Sequence, residues 1–306
     1  MKLYRIIDFF ELIQALETRM FRVPSAKRFS DPNELISLLF SELMNPSMSP
    51  LTQESLEQRR LAQDDLRQAL YISCWTKTHN SIAMWEIYSP HRTSVQVEVE
   101  MSELEQSFND YARQRCYTQA HCAPADHPET YFYPPEVGCC NYADISAVHN
   151  KLKAKTEAFH AAAGAAIDDG KKDEFELIYK EACGEAEKNF RDLFLLKDCA
   201  YDHEKEVRFC LRAVRRNNRP YEECAKDRFF TLFDSHLRPT TCDETGENIF
   251  IPFSPSLIKQ VYLDGRTPGW LAEVQGRLLR GHGFEVSRST AYGAFFDRNP
   301  IRKWWD

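Results

Sequence analysis

YISCWTKTHNSIAMWEIYSPHRTSVQVEV, residues 71–99, is the stretch on which the fold turns. Tyr71 to Trp75 are aromatic, β-branched or small, a composition that suits a strand. Thr78-His79-Asn80-Ser81 supplies turn formers and side-chain oxygens that can start a helix. Ile82, Met84, Trp85 and Tyr88 then make a one-turn apolar face, which Pro90 stops. From Thr93 onward, Val95, Val97 and Val99 alternate with Gln96 and Glu98, the period of a half-buried strand. Strand, short helix, strand, with two Trp in the first half, predicts core and pocket wall together.

The totals bound the rest. A chain of 306 residues with 43% hydrophobic content can bury a large core. A net charge of −7 gives no global basic field for nucleic acid or an anionic membrane. No run of roughly 18 apolar residues suggests a membrane span, and Met1 to Arg5 lacks a secretory apolar region. The ten Cys are scattered, so free thiols of a cytoplasmic protein are expected.

Outward from the central stretch, residues 3–7 read as a first strand containing Arg5. A helix follows over Phe9 to Met20, with Phe10, Leu12, Ile13 and Leu16 on its apolar face, then a short strand at Met20 to Val23. Asp31-Pro32 signals a turn or a cap for a helix from Glu34 to Leu43. Residues 45–54 form a Pro/Ser-rich loop, and Leu56 to Leu70 an amphipathic helix. Glu103 to Arg115 is helical, whereas residues 116–142 are irregular. Their Cys116, His121, Cys122, His127, Cys139 and Cys140 match no zinc spacing, and adjacent Cys139 and Cys140 on a strand would face opposite ways. Two helices, Ile145 to Ala166 and Lys171 to Leu195, predict a helical hairpin insertion within one domain spanning 1–306. Strands at Phe250–Ser254 and Leu257–Leu263, a helix over Pro268–Leu279 and a strand at Phe284–Ser289 complete an α+β pattern.

Several of these strings resemble a bacterial family catalogued as domain of unknown function 2971. They are the 71–99 stretch, "F-x-D-P-x-E" at Phe29 to Glu34, "K-D-x-x-(aromatic)-x-x-E-x-E-x-R" at Lys197 to Arg208, and "I-x-x-V-x-L" at Ile258 to Leu263. The resemblance spans most of the chain, with gaps near 116–142 and 215–245. It supplies order along the chain and no activity.

Arg5 in a first strand, Ser73 after an aromatic in a middle strand, and Glu204-Lys-Glu206 entering a later one are similar to the signature of ADP-ribosyltransferases of the Arg-Ser-Glu type. That resemblance implies a split mixed/antiparallel β-sheet core with packed helices and NAD, as substrate, in the cleft. Arg5 would orient NAD, and Ser73 would brace the pocket and the catalytic carboxylate. Glu206 would stabilise an oxocarbenium-like transition state, with Glu204 positioning or deprotonating the acceptor. Tyr71, Trp75 and Trp85 would stack on nicotinamide. The acceptor would be a protein or nucleic acid, as for a toxin or phage-defence effector, with room for an inhibitory partner.

Three other expectations stand beside it. Arg5, Glu206 and Arg208 can instead form a structural ion-pair ladder in a non-catalytic binding module, since carboxylates two apart on one strand face need a cation nearby. Cys74 with His79 or His91 can make a nucleophile pair. Arg212, Arg215, Arg216 and Arg219 read as a solvated basic loop rather than a nucleic-acid site. No Gly-rich phosphate loop, Gly-x-Ser-x-Gly elbow or His-Glu-x-x-His helix is present.

Overall fold

Strand β3 (Leu70–Thr76) joins the two halves of a mixed sheet. The structure, a computed structural model, describes residues 1–29, 67, 69–115, 130–178, 180–181, 195–216, 237–238 and 247–293. On one side β3 pairs antiparallel with β9 (Glu206–Arg216), from Leu70 opposite Arg212 to Thr76 opposite Glu206. Short strands β5 (Thr130–Phe132), β6 (Glu136–Cys139) and β10 (Leu237–Arg238) add to β9. On the other side lie β1 (Lys2–Ile7), β4 (Val95–Glu100), β12 (Ile258–Leu263) and β13 (Val286–Arg288), the last pairing parallel. β1 and β4 are paired along their whole length. β1 and β3 meet at one register pair, Tyr4 opposite Thr76.

Because side chains alternate across a strand, this register sorts the residues onto two faces. Leu3, Ile7, Tyr71, Trp75, Val97, Val207, Phe209 and Val261 form the main core. That core is closed by α1 (Phe9–Thr18), α3 (Met101–Gln114), α5 (Gly269–Gly281) and the pair β2 (Met20–Pro24) and β11 (Asn248–Pro252). The other face carries Tyr4, Ile6, Cys74, Gln96, Glu98, Glu206 and Arg208. Over Ile6 it is covered by Met84 and Trp85 of α2 (Ile82–Tyr88). The Ser81 side chain accepts from the Met84 N–H and caps α2, as its sequence predicts.

Four expectations need correction. Phe10 is 75% exposed, and Phe9, Leu12, Ala15 and Leu16 form the buried stripe of α1. β4 is buried on both faces rather than half-buried, with Gln96 at 0% and Glu98 at 4% exposure, because helices and connecting segments cover both sides of the sheet. Residues 130–143 are not irregular: β5 and β6 pair with β9, and β7 (Asn141–Ala143) pairs parallel with β8 (Leu196–Asp198). Arg212, Arg215 and Arg216 lie within β9 rather than a loop, Arg212 over the Tyr133 ring at 3.7 Å. The first helix of the expected hairpin is α4 (Ile145–Asp168), followed by Gly170 in the left-handed region. The features expected over 30–66, Cys116 to His127, the last part of the Lys171 to Leu195 helix and Arg219 lie outside the described residues.

Candidate functional site

A six-residue 3-10 helix, Cys199–Glu204, leads from β8 into β9. It is capped by the Asp198 side chain, which accepts from the Ala200 N–H. Lys205 then takes a left-handed conformation, φ 45°, uncommon for a residue with a Cβ. The turn is held from both sides: Thr76 Oγ1 donates to the Glu204 carbonyl and the Lys77 N–H to that of Lys205, while the Cys140 N–H donates to that of Glu206. The reversal brings the Glu204 and Glu206 carboxylates onto a common cation. Lys197 Nζ donates to Glu204 Oε2 at 2.5 Å and to Glu206 Oε2 at 2.7 Å.

Glu206 is further bound by Arg208, whose Nε donates to Oε1 at 2.8 Å, and by the Cys74 thiol. Burial pushes the Glu206 carboxyl up, but the charges of Arg208 and Lys197 outweigh it and hold it at about 2. Burial works against the Lys197 ammonium, yet the two carboxylates leave it well above the ordinary lysine range. Tyr88 of α2 donates to Glu204 Oε1 at 3.0 Å. Burial, then the Glu204 charge, pushes its hydroxyl far up, so it stays a donor. Two carboxylates face two cations.

Lys197, Glu204 and Glu206 line a cavity of about 470 Å³ where β1 and β3 diverge, within the roughly 300–1,000 Å³ typical of small-molecule sites. Tyr4, Cys74, Tyr88 and Tyr201 also face it, with Arg28 and Phe29 at one side. Arg5 and Trp75 border it too, although both belong to the core-facing side of their strands. Arg5 Nη1 donates to Ser73 Oγ at 3.3 Å, and the guanidinium packs over Phe21 at 5.0 Å. Ser73 Oγ also accepts from Trp75 Nε1 at 2.9 Å.

The expected constellation is thus gathered in part. Glu204, Glu206, Arg5 and Trp75 share the cavity. Ser73 is fully buried behind it and braces Arg5, not the carboxylate. Contact with Glu206 comes from Cys74, one residue on, because Cys74 and not Ser73 points to that face. Tyr71 is in the main core and Trp85 packs on Ile6 and Met84, so neither is cavity wall. The ion-pair ladder exists, but its second cation is Lys197; Arg5 sits beside Glu11 at 3.9 Å. Lys197 was signalled only by its place in the Lys-Asp string before Glu204. His79 is held between the rings of Tyr4 and Tyr262, while Cys74 serves Glu206. Among the described residues no group of three His, Cys, Asp or Glu is placed to hold a metal, and no helix is long and apolar enough to cross a membrane.

No family model matches the chain, and no curated protein or solved structure matches it.

Proposed function

We propose that the cavity is the site of an ADP-ribosyltransferase-like enzyme that uses NAD to modify a protein or nucleic-acid acceptor. One observation carries this reading: the strands bearing Arg5, Ser73 and Glu206 are consecutive neighbours in the sheet, and they open on the carboxylate pair where β1 and β3 part. The residues present fit such a substrate. Tyr88, Tyr201, Phe29 and Trp75 offer aromatic surface for a pyridine or purine ring, and Arg28 offers a cation for phosphate oxygens.

In this reading the glycosidic bond to nicotinamide breaks, and nicotinamide leaves with its electron pair. Glu206, ionised at neutral pH, opposes the positive charge that develops on the ribose carbon. A new bond forms to the acceptor, whose proton passes to Glu204. Lys197 and Arg208 fix both carboxylates in place. The free thiols Cys74, Cys139, Cys140, Cys199 and Cys210 support a reducing, cytoplasmic setting. A role as a toxin or phage-defence effector, held in check by a partner, suits an enzyme of this class.

Nicotinamide release from NAD, measured with wild type and with Glu206→Gln shown by circular dichroism to be folded, is the test. Release that falls at least a hundredfold in the variant supports the reading. No release in wild type, with lysate supplied as acceptor, defeats it. One observation favours a second reading, a non-catalytic binding module: each carboxylate is already matched by a buried cation. On that reading Glu206→Gln loses stability and no chemistry.

A further inference from the structure

Lys77 Nζ lies 2.9 Å from the Sγ of Cys139, and both residues are exposed. Their neighbours grip the carboxylate-bearing turn: Thr76 and Lys77 bond to the carbonyls of Glu204 and Lys205 from β3, and Cys140 bonds to that of Glu206 from the far side. A covalent link between 77 and 139 therefore closes a ring around residues 204–206. From this geometry we infer that Lys77 and Cys139 form an oxidation-dependent covalent bridge that locks the Glu204–Glu206 turn.

The chemistry needs one equivalent of hydrogen peroxide. The peroxide oxidises the thiol to a sulfenic acid, and a water leaves. The Lys77 amine, after losing its proton to solvent, attacks the sulfur. An N–S bond forms and the S–O bond breaks, with the departing hydroxide taking a proton to become a second water. One thiol, one amine and one peroxide give one sulfenamide and two waters; sulfur is oxidised by two electrons and peroxide is reduced. A thiol reductant reverses the bond. Cys140 is a poor competitor, since it is buried and points to the opposite face of the chain. Cys199 is also exposed but has no lysine partner among the described residues, which makes it an internal control.

The bridge does not depend on what occupies the cavity, so its test is separate from NAD cleavage. The full chain, reduced and then treated with hydrogen peroxide, is digested with trypsin and weighed. The expected product joins the Lys77 and Cys139 peptides, two hydrogens lighter than their uncleaved sum, with no cut after Lys77. It disappears in Lys77→Arg and Cys139→Ser and on reduction. In the bridged protein, amide exchange at residues 204–207 slows severalfold. Cys139 ending as a sulfinic acid or paired with Cys140, with Lys77 still cut, overturns the proposal. So does a joined product that survives in Lys77→Arg, or a bridge that leaves exchange at 204–207 unchanged.

Discussion

Lys197, nine residues before Glu206 in the chain, places its ammonium 2.7 Å from that carboxylate and 2.5 Å from the carboxylate of Glu204. Without it, the buried Glu204 carboxylate loses the cation it is paired with, and Glu206 keeps Arg208. Removing one partner of a buried ion pair costs about 3–5 kcal/mol. Lys197→Met is therefore expected to lose several kcal/mol in urea unfolding at neutral pH. A loss below about 1 kcal/mol, the size of a surface pair, would mean that Lys197 is not the joining cation.

Acid should act through the same cluster, and the sign follows from Glu206. Its carboxyl lies at about 2 in the folded chain against 4.5 ordinarily. A depressed carboxyl stabilises the fold above its unfolded value, and that contribution fades as pH falls from 4.5 towards 2. At about 1.4 kcal/mol per pH unit of displacement, the full effect is on the order of 3 kcal/mol. Urea midpoints measured from pH 6 to pH 2.5 should fall in wild type and fall less in Glu206→Gln. Parallel curves would remove Glu206 as the titrating group.

Neighbouring residues Ser73 and Cys74 separate two roles that the sequence merges. Ser73→Ala strands the Arg5 and Trp75 donors, at a cost of about 1–3 kcal/mol, without touching Glu206. Cys74→Ala removes a donor to Glu206 inside the cavity and should lower NAD turnover more than stability. Turnover falling more in Ser73→Ala than in Cys74→Ala would reverse the assignment.

That pair also marks how far the sequence could be read. Strand, helix and strand over 71–99 were legible because each has its own period and punctuation: Ser81 caps, Pro90 stops, the valines alternate. Facing was not legible, since a shift of one residue exchanges every side chain between the two faces of a strand, and only the pairing of Thr76 with Glu206 fixes it. The polar alternation of Gln96 and Glu98 resembled a solvated face for a similar reason: the covering segments come from distant parts of the chain. Lys197 escaped because it stands on a three-residue strand and reaches its partners across a 3-10 turn, which leaves no periodic trace.

Gln96 supplies the last test. Its side chain is fully buried on the face beneath α2, opposite Ile6 on one side and Tyr262 on the other. Neither its amide oxygen nor its nitrogen has a hydrogen-bond partner among the described residues, and the Trp85 indole N–H is in the same condition. A buried polar group without a partner costs about 1–3 kcal/mol, so a residue of the same length and no polar atoms should remove that cost. Gln96→Met, which keeps the unbranched shape, is expected to raise the urea midpoint by an amount equivalent to about 1 kcal/mol, part of the gain being offset by imperfect packing. A lower midpoint would show instead that an ordered water completes the amide's hydrogen bonds, as internal waters do for polar groups of this kind.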